Sequence, residues 1–107
     1  MAESPDTPER ALRDWLRFGE IDPDDTYPQQ WAHYYVEHSR AQVYDWLIGE
    51  GVKFMPAVNW VERGLNGDGN SLPRYHVVWG TSRELVRCLV AALHRANHDG
   101  RLTLLHR

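Results

Sequence analysis

Two side chains with proton-binding and anion-binding chemistry lie two residues apart in "RYHVVW", residues 74–79. The run is β-branched and aromatic, which favours a strand. Alternate side chains of a strand share a face, so Arg74 and His76 would project together and could bind a carboxylate or a carbonyl. The residues alone favour a structural alternative, in which Arg74 bridges to a carboxylate and His76 only supports the fold.

The run ends at Trp79, and Trp79-Gly80-Thr81 directly precedes a predicted helix. A strand followed by a glycine and a helix start can bring backbone N–H groups to a bound anion or cofactor. Thr81-Ser82-Arg83-Glu84 also matches a capping box, and ordinary capping explains it equally well. Both interpretations stay open. The predicted buried face of this helix consists of Leu85, Val86, Leu89, Val90 and Leu93.

A glycine-rich loop, "ERGLNGDGNSL" at residues 62–72, precedes the Arg74 run, and long loops in compact domains are often functional. Glu62 and Arg63 could orient a substrate, although holding the loop is the favoured role. Tyr75, Trp60 and Trp79 could line an apolar cleft, but large rings at alternate positions are more often core.

Other candidate chemistry is weaker. His94 and His98 have metal-ligand spacing on a helix, but no third ligand stands at a matching position, so solvent-facing histidines are expected. Cys88 is the only cysteine, which excludes an internal disulfide and predicts a packed thiol in a reducing, cytoplasmic setting.

The elements that must position these groups begin with two helices. Thr7 and Pro8 predict a capped helix start, and Gly19 its end. A longer helical pattern runs from Pro28 to near Gly49 and Gly51. "VKFMPAVNW", residues 52–60, predicts an edge strand or extended segment because of its proline, and "RLTLLHR", residues 101–107, predicts a strand. The fold class is therefore α+β, with a helical region at 1–51 and a loop plus strand-helix-strand unit at 52–107.

Composition sets further limits. The chain has 107 residues, is 42% hydrophobic and carries a net charge of -3, which predicts one domain and excludes the basic surface of a nucleic-acid partner. No apolar run approaches the ~20 residues of a membrane span, and the first ten residues lack signal-peptide chemistry. Five tryptophans and five tyrosines are more rings than a small core buries, which predicts a partner surface or self-association.

"WLIGEGVKFMPAVNWVERG" followed by "GNSLPRYHVVWGT" resembles the middle of FAD-dependent dehydrogenases of the fumarate reductase and 3-ketosteroid dehydrogenase superfamily. The resemblance runs from Asp14 to Arg107. It implies an FAD cofactor and the dehydrogenation or reduction of a carbon–carbon bond next to a carbonyl or carboxylate, on a steroid-like or dicarboxylate substrate. It assigns no catalytic residue. The cofactor- or substrate-binding residues that it implies are Asn70, Ser71, Arg74, His76, Trp79, Gly80 and Thr81.

The sequence departs from that superfamily in one major respect, because it lacks the N-terminal GxGxxG dinucleotide fingerprint. The chain is therefore expected to be an internal piece that works with the remainder of a flavoprotein and is inactive alone. The alternative, from a different functional class, is a free-standing, non-catalytic helix-rich module whose aromatic surface binds a partner protein.

Overall fold

The structure, a computed structural model, describes residues 6–55, 61–62 and 69–106. Within these ranges the chain forms helices α1 (Pro8–Phe18), α2 (Thr26–Ser39), α3 (Trp46–Gly49) and α4 (Thr81–His98), with a π-helical segment, Arg40–Asp45, joining α2 to α3. None of these helices has both the length and the apolar character needed to cross a membrane.

Helix α1 begins and ends where the sequence predicts. The Thr7 hydroxyl accepts a hydrogen bond from the Arg10 N–H at 3.2 Å, and Pro8 opens the helix, where a missing N–H has no cost. The Gly19 N–H donates to the Trp15 carbonyl at 2.8 Å and closes the last turn. Helix α1 packs against α2, where the rings of Trp15 and Tyr35 meet edge to face at 5.1 Å.

The predicted second helix is a rod of three parts rather than one regular helix. It starts at Thr26, two residues before Pro28, and widens into the π-helical segment before α3. Such segments occur frequently at functional sites, since they turn side chains out of the regular register. The rod stops before Gly51, whose φ of 92° lies in the left-handed region that glycine adopts readily.

The predicted strand-helix-strand unit is wrong for the residues that the structure describes. Residues 74–79 and 101–106 contain no strand, and the β structure is one isolated antiparallel bridge between Phe54 and Val78. The Met55 N–H donates to the Val77 carbonyl at 2.7 Å, and the Trp79 N–H donates to the Lys53 carbonyl at 2.9 Å. The β-branched run has strand propensity, but a strand also needs a neighbour of matching length. The rest of the predicted edge strand, residues 56–60, lies outside the described ranges.

Helix α4 is present as predicted, but only part of its apolar face is covered. Cys88 is buried beside Gly51, and Arg95 forms an ion pair with Glu50. Leu85 and Leu89 are half-buried, whereas three residues of the predicted buried face are exposed, namely Val86, Val90 and Leu93. The expected five-residue buried face is therefore wrong for these three.

The described part of the chain has a thin hydrophobic core. Its fully buried apolar residues are Ala32, Val52 and Cys88. The Cα radius of gyration is 17.2 Å, whereas a compact domain of this length has a radius of roughly 13 Å. Large rings stay accessible as a result, for example Tyr27 at 75% and Trp31 at 69% exposure. These apolar surfaces remain available for contact with other protein.

Candidate functional site

A groove of about 830 Å³ lies between α1, the end of α2 and the segment 70–76. Half-exposed aromatic rings form much of its wall, and they belong to Trp15, Phe18, Tyr35 and Tyr75. Three of the predicted binding residues also line it, namely Asn70, Arg74 and His76. The groove is thus an aromatic surface with a few polar groups at one side, the composition typical of small-molecule sites.

Asp14 of α1 holds the segment 70–76 in place. Its side chain is 3% exposed, and its carboxylate accepts hydrogen bonds from the Ser71 N–H, the Ser71 hydroxyl and Arg74 Nη1, each at 2.7 Å. Arg17 donates to the second oxygen at 3.2 Å. Burial by itself raises the pKa of Asp14, but the bonds from Ser71 and Arg74 outweigh burial and lower it from 3.8 to about 2. Asp14 is therefore a fully engaged anion at neutral pH.

Arg74 donates hydrogen bonds to two carboxylates. Nε and Nη2 bind Asp6 in bidentate fashion at 2.7 and 2.9 Å, while Nη1 binds Asp14. The hydrogen bonds to Asp6 raise the pKa of Arg74 above its usual value despite partial burial. The structure therefore shows the carboxylate bridge that the residues alone favour, and this bridge lies at the edge of the groove.

A second set of bonds closes the base of the glycine-rich loop. Arg17 Nη2 donates to the Gly69 carbonyl at 2.6 Å. The Glu62 carbonyl accepts a hydrogen bond from the Asn70 backbone N–H at 2.8 Å, and the Glu62 carboxylate accepts one from the Asn70 side-chain amide at 3.0 Å. The loop-holding role predicted for Glu62 is confirmed, whereas Arg63 and Trp60 lie outside the described ranges.

His76 is exposed on the groove side but is held on its other sides. Its Nδ1 lies 2.9 Å from the carbonyl oxygen of Arg74. Its ring meets those of Tyr44 and Phe54 at centroid distances of 5.4 and 5.7 Å, and these two rings stack on each other at 5.1 Å. The hydrogen bond and the two ring contacts therefore orient the imidazole.

Trp79, Gly80 and Thr81 form a separate cluster at the start of α4 and do not line the groove. The capping-box prediction is wrong here, because Gly80 is the cap residue and the Thr81 side chain makes no capping bond. Glu84 instead pairs with Arg87 at 2.5 Å, and this hydrogen bond lowers the pKa of Glu84.

The start of α4 has an unusual backbone that explains the departure. Gly80 and Thr81 have φ values of 83° and 65°, both left-handed. A Cβ at Gly80 would lie 2.9 Å from the Glu84 Cβ, so glycine is required by the helix itself. Left-handed backbone at a β-branched residue such as Thr81 costs about 1–3 kcal/mol and often marks a functional position.

Two further candidates, a histidine pair and Cys88, lie on α4. His94 and His98 are exposed, and the described part of the chain holds no cluster of three potential metal ligands. Cys88 is buried and free of any disulfide, so the packed thiol is confirmed.

Sequence reasoning missed the residue on which the site depends, Asp14. A signal was present, because Asp14 lies three residues after Ala11 and four before Phe18, on the apolar side of α1. A carboxylate at such a position is buried only when it is paired. Its partners lie 57 and 60 residues away and could not be named from the sequence.

Comparison with known proteins connects this groove to one enzyme family. A KsdD-like steroid dehydrogenase of Mycobacterium tuberculosis is 45% identical over 92 residues, which cover 82% of this chain and 16% of that protein. A KsdD-like steroid dehydrogenase of Mycolicibacterium smegmatis is 44% identical over 85 residues, which cover 76% of this chain and 16% of that protein. Over 82% of its length the chain is homologous to one segment of the KsdD-like steroid dehydrogenases.

This homology confirms the resemblance stated from the sequence. The chain spans 16% of the length of the relatives it matches. No family model matches the chain, and no solved structure matches it.

Proposed function

We propose that the chain forms one wall of the substrate site in an FAD-dependent dehydrogenase that oxidises or reduces a carbon–carbon bond next to a carbonyl group of a steroid-like molecule. The observation that carries the proposal is the aromatic groove, in a chain 45% identical to part of a protein named as a steroid dehydrogenase. The groove volume of about 830 Å³ lies within the roughly 300–1,000 Å³ of small-molecule sites.

The charges at the groove favour an uncharged substrate over a dicarboxylate. The negative charges of Asp6 and Asp14 contact the positive charges of Arg74 and Arg17, so Arg74 already faces two carboxylates. A substrate carboxylate would have to displace Asp6 or Asp14 from Arg74, and displacing the buried Asp14 would cost several kcal/mol. We therefore assign Arg74 and Ser71 to positioning the segment 70–76. We assign Asn70 and His76 to contact with the substrate.

The start of α4 fits a contact with part of FAD. Trp79 is 55% exposed, and the first-turn N–H groups of Ser82 and Arg83 point out of the helix, as at any helix start. Arg83 and Lys53 lie close enough to lower the pKa of Glu84, behind the larger effect of Arg87, so cations surround this end of α4. When bound, FAD supplies the hydride acceptor. Trp79, Gly80 and Thr81 would hold it, with most cofactor contacts coming from the remainder of the protein.

The exposed apolar surface fits a place inside a larger, cytoplasmic protein. Val86, Val90 and Leu93 recur at helical spacing on α4 and are 55%, 41% and 47% exposed. Within the complete protein we assign this stripe to packing against the remainder of the flavoprotein. We expect the same surface to make the chain self-associate when it is produced alone.

A segment exchange tests the proposal. The matching segment of the M. smegmatis KsdD-like steroid dehydrogenase is replaced by this chain, and flavin content and the dehydrogenation of 3-ketosteroids are measured with an artificial electron acceptor. We expect the hybrid to keep its flavin and its activity. Loss of activity in a folded, flavin-loaded hybrid would contradict the proposal.

Two adjacent tyrosines of α2 give a matched pair of variants in that hybrid. Tyr35 lines the groove, and Tyr34 lines a different hollow on the other side of α2. Their exposures are nearly equal, at 45% and 46%. Tyr35→Ala is expected to raise the KM for the steroid about tenfold, the effect of losing one stacked ring. Tyr34→Ala is expected to leave it unchanged.

A non-catalytic interaction module is the second candidate, and exposed rings on α2 favour it. Tyr27 and Trp31 lie four residues apart and are 75% and 69% exposed, away from the groove. The length of the reading frame in the gene distinguishes the two candidate functions. An upstream extension of the reading frame that encodes a strand and GxGxxG supports the dehydrogenase, and a start and stop that enclose only these residues support the module.

A further inference from the structure

We infer that His76 is the hydrogen-bond acceptor of the groove, with its proton fixed on Nδ1 and the lone pair of Nε2 offered to a ligand hydroxyl. The inference rests on the proposed function only in taking the groove as the site of a flat, largely apolar molecule. It adds a rule of specificity, namely that a hydroxyl is preferred over a ketone where the ligand meets His76.

The tautomer follows from the partner of Nδ1. That atom lies 2.9 Å from the Arg74 carbonyl oxygen, which is only an acceptor. In the neutral imidazole, Nδ1 must then carry the hydrogen and donate it, which leaves Nε2 unprotonated. The opposite tautomer would place two lone pairs against each other.

The ring cannot easily turn to reverse these roles. Tyr44 and Phe54 meet it edge to face, with interplanar angles of 62° and 81°. These two rings lie nearly parallel to each other, at 20°, and form a fixed surface behind the imidazole. A half-turn of the ring about the Cβ–Cγ bond would put Cδ2 in the place of Nδ1 and would break the bond to the Arg74 carbonyl.

The neighbouring cations do not supply a competing acceptor. The Arg74 guanidinium is bound to Asp6 and Asp14, and Arg40 lies over the Tyr44 ring at 5.5 Å with Asp45 at 3.5 Å. Each of these arginines is a donor without acceptor capacity. A ligand ketone would therefore meet a lone pair at Nε2, whereas a hydroxyl would donate to it.

The first test reads the tautomer directly in the 107-residue chain. Long-range ¹⁵N–¹H correlation spectra at alkaline pH distinguish protonated from unprotonated ring nitrogens, and the His76 signals are assigned by their disappearance in His76→Gln. We expect a protonated Nδ1 and an unprotonated Nε2. A proton on Nε2 would overturn the inference while leaving the proposed function untouched.

The second test measures specificity in the hybrid dehydrogenase described above. Testosterone and androstenedione differ only by a hydroxyl in place of a ketone at one end, and their dissociation constants are compared by equilibrium dialysis. We expect the hydroxyl form to bind about 3- to 10-fold more tightly, the effect of one hydrogen bond. His76→Phe should abolish the difference, while the matched exposed-histidine variant His94→Phe should retain it.

The outcomes separate the two claims. Equal affinity for both steroids, or a difference that survives in His76→Phe, overturns the inference alone. Binding of neither steroid by a folded, flavin-loaded hybrid overturns both the inference and the proposed function.

Discussion

Replacing Asp14 by asparagine is expected to destabilise the folded chain by about 2 kcal/mol. The pKa of Asp14 falls from 3.8 to about 2, and each unit corresponds to about 1.4 kcal/mol. Asparagine keeps one oxygen acceptor but turns an N–H₂ group toward the donors of Ser71 and Arg74. Because the side chain is only 3% exposed, water cannot satisfy the donors that are left over.

The assay is urea unfolding followed by tryptophan fluorescence, with Asp45→Asn as the control. Asp45 also faces an arginine, Arg40 at 3.5 Å, but it is 56% exposed. Its replacement should change the free energy of unfolding by less than about 0.5 kcal/mol. Equal unfolding midpoints for the two variants would refute the assignment of Asp14 as the residue that holds the segment 70–76 on α1.

The unmodified chain gives an independent reading of the same claim. A carboxylate whose folded pKa is depressed stabilises the fold above its unfolded pKa and loses that contribution as the pH falls through the folded value. The contribution of Asp14 should therefore be complete above pH 3.8 and disappear as the pH falls to about 2. Asp14→Asn should lack this step in stability, and its persistence in that variant would assign the step to another group.

Three further predictions concern other parts of the chain. Gly80→Ala should lower the free energy of unfolding by more than about 1 kcal/mol, because φ is 83° and the new Cβ would lie 2.9 Å from the Glu84 Cβ. The control is Gly49→Ala, where the new Cβ has no atom within 4 Å, so this variant should be neutral or stabilising. Equal effects of the two variants on thermal melting would contradict this prediction. Thr81→Gly should raise stability by about 1 kcal/mol through relief of its left-handed backbone, measured by the same melts, and a loss would show that Thr81 makes a compensating contact. The purified 107-residue chain should carry no stoichiometric FAD by absorbance, since it lacks the GxGxxG unit that binds the pyrophosphate, and yellow protein at one flavin per chain would refute this.

The helices were predictable because their signals are local. Thr7 and Pro8 mark the start of α1, and an apolar period marks α4. The strand at residues 74–79 was not, since β propensity says nothing about whether a partner of equal length exists, and among the described residues the pairing segment is 53–55. The capping box failed for a related reason, because the match in sequence carries no information on the left-handed backbone of Gly80 and Thr81.

Three residues of the groove were predictable from the sequence, but their arrangement was not. Arg74, His76 and Asn70 do meet at one groove, yet the sequence could not show that Arg74 is bound by Asp6, 68 residues away. Nor could it divide the predicted residues into a groove cluster and a separate cluster at the start of α4. Both outcomes depend on contacts between distant parts of the chain, which no local pattern records.

The central claim is that the groove between α1, α2 and the segment 70–76 is a wall of the steroid site. Photolabelling tests it most directly, with a diazirine-bearing 3-ketosteroid and the hybrid dehydrogenase, and with the labelled residues assigned by mass spectrometry. The account predicts labels on groove residues such as Tyr35, Tyr75 and His76, and their loss when unlabelled steroid competes. Competable labels confined to Tyr34 and the hollow around it, or to parts of the hybrid outside this segment, would contradict it.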